Sequence, residues 1–309
     1  MTRFLINRAI TALISILGVM VIVFVIMRLS GDPTLLLAPQ GASAQDIERL
    51  RHELGFDQPI AMQFFQYMWM VLHFDFGTSF VQRIPVLTII GSRLPYTLWL
   101  ALTALAFAIT IGLLIGIASA ARRGGWIERL LLPLILVGQS LPTFWSGILL
   151  IMLFSVHLGW LPSSGADQAS SVILPALALG ALSMATFARI ARTAVIDELS
   201  KDYVRAIRAK GIGETRVILT HVLRNASIPV ITIAAIEIAN LLAGSAIVET
   251  VFAWPGLGQL AVQTITGRDF LVAQALVLIA AITYIVLNFI ADLLYSLVDP
   301  RICLGARGR

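Results

Sequence analysis

The stretch Lys201–Asn225, KDYVRAIRAKGIGETRVILTHVLRN, is a hydrophilic island between two long apolar segments, residues 172–195 and 227–250. It is rich in lysine and arginine. Short loops of this kind stay on the cytoplasmic side of a membrane. The island is also long enough to form short helices of its own. The stretch therefore predicts a membrane protein with a structured, basic loop on its cytoplasmic side.

The composition supports this prediction over the whole chain. Of the 309 residues, 58% are hydrophobic and 13% are charged, whereas a soluble domain has about 25% charged residues. A membrane span needs about 20 apolar residues. Six stretches qualify, at roughly 9–29, 95–118, 130–155, 172–195, 227–250 and 275–298. We therefore expect an all-α membrane protein with six transmembrane helices.

An apolar run, Ala9–Met27, follows Arg3 and Arg8 near the N-terminus. A cleaved signal peptide and a retained first transmembrane helix are the two explanations. The run is longer than the apolar part of a typical signal peptide, and no small-residue cleavage site follows it. We therefore interpret it as a retained helix.

The basic residues are distributed unequally between the two sides of the membrane. Six lie on one side, namely Arg28, Arg49, Arg51, Arg83, Arg93 and Arg268, and the remaining 16 of the 22 lie on the other. An even number of spans places both termini on the same side as the 201–225 island. The asymmetry predicts that the termini and the island are cytoplasmic, and it explains the net charge of +5 without nucleic acid.

The predicted organisation has three parts: residues 1–29, with the N-terminus and first span; residues 30–94, an outer helical segment; and residues 95–309, a five-helix core. In the outer segment, Ser43 and Asp46 indicate a helix start and Gly55 a helix stop. The aromatic run AMQFFQYMWMVLHF, residues 61–74, predicts a helix on the membrane surface or on the ends of the spans, with a plain loop as the alternative.

Motifs for catalysis, nucleotides and metals are missing from the sequence. There is no Gly-Lys pair and so no G-x-x-x-x-G-K-[ST] phosphate loop. His52, His73, His157 and His221 are scattered, without the spacing of metal ligands. The single cysteine, Cys303, allows no disulfide within the chain. We expect no enzymatic activity, no metal and no cofactor in this chain.

Gly256, Gly258 and Ala261 match the G-x-G-x-x-A dinucleotide fingerprint. That motif works between a strand and a helix, with the phosphates at the helix N-terminus. Here it follows a membrane span, so we interpret the glycines and Pro255 as a tight turn.

Within the island, Asp202–Lys210 can form a short helix that Gly211 and Gly213 end, and Glu214–Leu223 can form a second one. Tyr203 and Ile207 share a face at i, i+4. The residues alone leave two interpretations open. The island is either a docking surface with these two apolar anchors, or a solvated loop whose charges set the topology.

The segments YVRAIRAKG, residues 203–211, and HVLRNASIP, residues 221–229, resemble the "EAA" coupling loop of permease subunits in ABC importers. Within these permeases, the segments resemble the branch that transports dipeptides, oligopeptides, nickel and glutathione. Arg205-Ala206-Ile207 stands where the consensus has E-A-A, and Gly211 keeps the characteristic glycine. Further similar stretches are SGDP (30–33), LGFDQP (54–59), DFGTS (75–79), RLPYTLWL (93–100), LGWLPSSGAD (158–167) and ETVFAWPGLG (249–258).

The resemblance implies a type I ABC importer permease fold in a bacterial inner membrane. It implies a second, homologous permease, two cytosolic ATPase subunits (or one with two nucleotide sites) that bind ATP and Mg, and an external solute-binding protein. It assigns ATPase coupling to Asp202, Tyr203, Arg205, Ala206, Ile207, Arg208, Lys210 and Gly211. It assigns contact with the binding protein, or capping of the pathway, to Glu249, Trp254, Pro255, Gly256 and Gly258.

Polar residues inside the spans are candidates for the translocation pathway, because charges in a membrane are costly. They are Gln139, Glu237, Asn240, Asn288 and Asp292. Hydrogen bonding between helices is the alternative explanation for them. Pro142 predicts a kink in the third span.

We expect import of dipeptides or oligopeptides, with glutathione or a nickel chelate as alternatives on the same architecture. A secondary transporter driven by ions through Glu237 and Asp292 is an alternative of a different class. Such transporters often contain internal repeats, and none is evident here. A membrane scaffold without transport would not need Glu237 in mid-span.

Overall fold

The computed structural model describes residues 2–29, 43–53, 55–79, 81–122 and 124–298. Its helices are α1 Thr2–Leu29, α2 Ala44–Glu53, α3 Ile60–Leu72, α4 Val86–Ala121, α5 Trp126–Ser140, α6 Thr143–Leu150, α7 Ile173–Leu199, α8 Asp202–Ala209, α9 Leu223–Val251, α10 Leu257–Thr266 and α11 Phe270–Val298. The π-helical segment Ile151–His157 continues α6, and the 3-10 turn Ala169–Val172 precedes α7. Over these residues, β structure is limited to one isolated bridge, Thr78–Pro85. The all-α prediction is confirmed.

Five helical segments are long and apolar enough to cross a membrane: Ile6–Ile26, Val86–Ala121, Ala169–Leu199, Glu214–Val251 and Leu271–Ala291. A sixth candidate is the pair Glu128–Ser140 and Thr143–His157, whose halves are bent by 115°. The break lies at Leu141 and Pro142. Leu141 is extended, at φ −82° and ψ 138°, because a following proline disfavours the helical conformation. The predicted kink at Pro142 is confirmed as a full break of the helix.

The chain divides into two compact units. The central unit contains Tyr96–Pro255 together with the residues from Leu287 on, and the flanking unit contains Thr2–Pro95 and Gly256–Val286. One division falls inside α4 and another inside α11. The predicted boundaries at residues 29 and 94 stay a prediction.

In the central unit, α4 and α7 approach closely at glycines. A Cβ atom added at Gly112 would lie 2.7 Å from the Phe187 Cβ, and one added at Gly116 would lie 2.5 Å from the Ala188 carbonyl oxygen. Both distances are too short for non-bonded atoms. Small residues four apart let membrane helices pack backbone to backbone, so these two glycines set the distance between α4 and α7.

In the flanking unit, aromatic residues hold α3 to α1. The Phe24 ring lies 5.2 Å from that of Phe64, edge to face, and 5.9 Å from that of Tyr67, stacked. A second contact area joins α4, α10 and α11 through the buried Ile90 and Leu260, among others. The aromatic run therefore forms a helix packed on a span, and the alternative of a plain loop is wrong.

The start of α2 is also as predicted. The Asp46 backbone N–H donates to the Ser43 hydroxyl oxygen at 3.2 Å, and the Ser43 N–H donates to the Asp46 carboxylate at 3.1 Å. This is a reciprocal cap of the helix N-terminus. The hydrogen bonds with Ser43 lower the pKa of Asp46. The helix ends at Glu53, and Gly55 follows with φ +67°.

Candidate functional site: the loop between α7 and α9

Helix α8, Asp202–Ala209, fills the first half of the polar loop. It starts after Lys201, which is extended at φ −75° and ψ 150°, and ends at Ala209, with Lys210 as its C-cap. Gly211 follows with φ +77°, a conformation that glycine adopts without steric cost. Asp202 in the first turn and Arg208 in the last each have the charge that suits their end of the helix dipole.

The predicted second short helix is wrong as a separate element. The α-helical turn Glu214–Arg216 and the π-helical segment Val217–Val222 run directly into α9. No glycine or proline lies between Gly213 and Pro229 to end the helix, and Pro229 itself lies inside α9. The loop is therefore one short helix and a Gly211–Gly213 bend that opens a long helix.

The apolar face of α8 points toward its own chain. Val204 is fully buried, in a cluster with Val195, Val217 and Val222 among others. Tyr203 and Ile207 are half-buried against the same cluster. These two side chains, expected as anchors for docking, also pack α8 against the long helices and stay partly exposed. The exposed coupling candidates are Asp202, Arg205, Ala206, Arg208, Lys210 and Gly211.

A buried carboxylate lies beneath α8. Glu198, in the last turn of α7, is 9% exposed. It accepts hydrogen bonds from the Lys201 ammonium, from the Tyr203 hydroxyl at 2.7 Å and from the Asn225 side-chain amide at 3.4 Å. Burial and the bond to Glu198 raise the pKa of the Tyr203 hydroxyl, and the bond to Glu198 raises the pKa of Lys201. Glu198 is not among the residues predicted from the sequence, because its burial and its bond with Asn225, 27 positions away, depend on the fold.

A second interaction spans the bend. The Arg208 guanidinium donates two hydrogen bonds to the Glu214 carboxylate, at 2.9 and 2.5 Å. These bonds raise the pKa of Arg208. A bidentate pair fixes direction as well as distance, so the two side chains are oriented toward each other across the bend.

The polar candidates of the spans are in different settings. Glu237, on α9, is half-buried, and its carboxylate accepts a hydrogen bond of 2.5 Å from the Ser183 hydroxyl on α7. Asn240 is exposed, whereas Gln139 and Asn288 are half-buried. The side chain of Asp292 lies outside those that the structure describes. The Glu237 carboxylate therefore has a partner on a neighbouring helix.

Two of the residues assigned to the binding-protein contact are buried in the central unit. Glu249 is fully buried and accepts a hydrogen bond of 2.8 Å from the Thr97 hydroxyl. Trp254 is 3% exposed, and its indole N–H donates to the Tyr96 carbonyl at 3.0 Å. Both side chains hold α4 against the end of α9 and are not presented at the surface.

The other three assigned residues lie in the turn before α10 and at the start of that helix. Pro255 is half-buried, Gly256 is buried at the N-cap of α10, and Gly258 lies in its first turn. A helix and a turn precede this segment, so the strand required by the dinucleotide fingerprint is missing here.

Comparison with known families identifies the chain. Residues 108–303 match the family model described as "Binding-protein-dependent transport system inner membrane component". Residues 1–101 match the model described as "Binding-prot-dependent transport system membrane comp, N-term". The chain belongs to this permease family. It is a multi-pass inner-membrane permease of an ABC importer, and the ATPase is in partner subunits.

Curated relatives cover nearly the whole permease. It is 45% identical over 303 residues to the glutathione transport system permease protein GsiC of Salmonella typhimurium strain LT2, which covers 98% of this chain and 99% of the relative. It is 46% identical over 287 residues to GsiC of Escherichia coli strain K12, with coverage of 93% and 94%. These similarities confirm the resemblance seen in the sequence.

A solved structure supports the fold. The permease matches a chain of the inward-facing MetNI methionine ABC transporter, native crystal form, with a TM-score of 0.58 and 20% identity. The match covers 69% of the permease and 97% of that chain. At this identity the match shows the fold alone.

Proposed function

We propose that this permease forms half of the translocation pathway of an ATP-driven importer of short peptides, and that glutathione is the first substrate to test. The second half is a homologous permease. Two cytosolic ATPase subunits bind ATP and Mg, and an external solute-binding protein delivers the substrate. The observation that carries the substrate class is the 45% identity over 98% of the chain to a permease named for glutathione transport.

Coupling to the ATPases is proposed for α8. The helix is fixed on its inner face by the cluster around Val204, and it exposes Asp202, Arg205 and Ala206 on the other. A rigid helix with an exposed face can enter a groove of a partner and transmit a push to the helices behind it. The distribution of basic residues supports a cytoplasmic position for the loop and for both termini.

Glu237 is the proposed contact for the substrate. It is half-buried within the segment Glu214–Val251, which is long enough to span the membrane. A carboxylate in such a place pairs with a cation or lines a wet cavity. Short peptides and glutathione carry an ammonium group that such a carboxylate would bind. A nickel chelate remains the second candidate, because a chelated metal needs no ligands from the protein.

The test uses the whole complex in proteoliposomes, with ATP inside and the binding protein outside. Uptake of radiolabelled glutathione is compared with that of a dipeptide, a pentapeptide and a nickel chelate at equal concentration. Preferred, ATP-dependent uptake of glutathione supports the proposal. Preference for the dipeptide or pentapeptide keeps the peptide class and rejects glutathione. Uptake of the nickel chelate alone rejects the peptide class.

A further inference from the structure

Three separate elements meet at the Glu198 carboxylate. Glu198 belongs to α7, Lys201 and Tyr203 belong to the start of α8, and Asn225 belongs to the first turn of α9. The Asn225 amide also lies 3.3 Å from the Tyr203 hydroxyl oxygen, so two of the donors bond to each other as well. One side chain therefore connects the loop helix to both long helices that flank it.

These bonds restrict motion in a way that the apolar cluster beneath α8 does not. Hydrophobic contact is non-directional, so the cluster around Val204 defines the orientation of α8 on α7 and α9 less strictly than hydrogen bonds do. Hydrogen bonds weaken steeply away from their preferred angle. A buried carboxylate that loses its donors is also costly. The three bonds together therefore favour the observed arrangement of the three elements.

The two helices joined at Glu198 are also the pair that meets at Ser183 and Glu237. Ser183 precedes Glu198 by 15 positions on the same helix, which is roughly 22 Å at the rise of an α-helix. A displacement applied to α8 and passed on at Glu198 would reach the level of Glu237 through continuous helices.

We propose that Glu198 is a positioning residue of transport: its carboxylate locks α8 to α7 and α9, so that movement of α8 is passed to both spans. The inference rests on the proposed docking of the ATPase at α8. Without the lock, α8 still follows the ATPase but moves over the long helices. ATP hydrolysis then continues without a matching amount of transport.

The test compares Glu198→Ala and Glu198→Gln with the control Asp197→Asn in the reconstituted complex. Asp197 is the neighbouring carboxylate on the same helix end, and it is exposed. Glu198→Gln keeps an acceptor oxygen for Tyr203 and Asn225 but loses the ion pair with Lys201. Uptake and ATP hydrolysis are measured on the same vesicles and normalised to the amount of assembled complex.

The expected result for Glu198→Ala is a fall of roughly tenfold in substrate transported per ATP hydrolysed, the size of a typical coupling between sites. The ratio for Glu198→Gln should lie between those of Glu198→Ala and wild type, and the ratio for Asp197→Asn should equal that of wild type. Tyr203→Phe removes one donor, so the amount transported per ATP should fall less than in Glu198→Ala. This variant provides the test if the Glu198→Ala complex does not assemble.

Two results would overturn the proposal. The first is that uptake and hydrolysis both stay at the wild-type level in Glu198→Ala, Glu198→Gln and Tyr203→Phe. The second is a parallel loss of uptake and hydrolysis in these variants, which indicates only structural support. Absence of ATP-driven uptake in the wild-type complex would overturn the proposed function as well. This failure is distinguishable from failure of the Glu198 proposal, because it occurs without any substitution.

Discussion

Arg208 and Glu214 face each other across the Gly211–Gly213 bend, joined by two hydrogen bonds of 2.9 and 2.5 Å. The side chains are 40% and 53% exposed, so water and salt weaken the attraction between them. The geometry of the bend therefore depends on Gly211 and on the buried contacts of α8 more than on this pair.

Arg208→Lys keeps the charge but loses the planar fork that bonds both carboxylate oxygens. We expect a loss of under about 1 kcal/mol of unfolding free energy, because the pair is exposed. Denaturation in mild detergent at low and high salt checks this, and the difference from wild type should shrink at high salt. A much larger loss that does not depend on salt would mean that the pair holds the loop together.

Gly211→Val places a β-branched residue at φ +77°, which costs at least about 1–2 kcal/mol locally. We expect α8 to lose its fixed end, so that ATP-driven uptake falls strongly while the amount of permease in the membrane is unchanged. Uptake and membrane content are measured in parallel.

The control for Gly211→Val is Gly213→Ala. Gly213 has φ −62° and no atom within 4 Å of an added Cβ. Normal uptake by Gly211→Val, or equal damage from both substitutions, would contradict the role given to Gly211.

Gly116→Leu forces α4 away from α7, because even a Cβ would meet the Ala188 carbonyl oxygen. Overpacking of this kind costs about 1–3 kcal/mol or more. We expect the purified complex to have a lower melting temperature and a lower yield. Gly91→Leu, on an exposed part of the same helix with open space around its Cβ, should change neither. Equal stability of the two variants would contradict the close approach.

Glu237→Gln tests whether this carboxylate binds substrate or only a neighbouring helix. If it binds the substrate ammonium, KM should rise about tenfold, the order expected for losing a hydrogen bond to a charged group. Ser183→Ala removes the partner hydroxyl but leaves the charge. It should therefore lower stability by only about 0.6 kcal/mol and leave KM nearly unchanged. The same small effect from both variants would mean that the pair is an interhelical bond alone.

Trp254→Phe removes the indole donor to the Tyr96 carbonyl and leaves a small space in the core. We expect a loss of about 1–3 kcal/mol in stability with unchanged affinity for the binding protein, because the side chain is buried. Trp160→Phe, at a side chain that is 69% exposed, is the control for stability. A weaker affinity in Trp254→Phe at normal stability would restore the contact expected from the sequence.

Several features of the fold were predictable because they depend on short-range chemistry. The spans follow from runs of apolar residues in a medium that cannot satisfy a bare backbone. The Ser43–Asp46 cap, the end of α8 near Gly211 and the break at Pro142 follow from the conformational limits of a few adjacent residues. These elements formed as expected.

The burial of individual side chains, and their contacts with residues far away in the chain, were not predictable in this way. Tyr203 and Ile207 share a face at helical spacing, but the spacing does not say whether that face meets a partner or the same chain. The resemblance assigned Glu249 to a contact with the binding protein, but its side chain is buried on Thr97, which is 152 positions away.

The sequence by itself determined the membrane class, the apolar segments, the basic loop between two of them and the family, because hydropathy, charge and local motifs are properties of adjacent residues. The tertiary structure alone decided which face of α8 is exposed, that Glu198 joins α7, α8 and α9, and that Glu249 and Trp254 are internal. The physical reason is that burial and hydrogen bonding depend on what surrounds a side chain in space, and helices distant in sequence supply those surroundings.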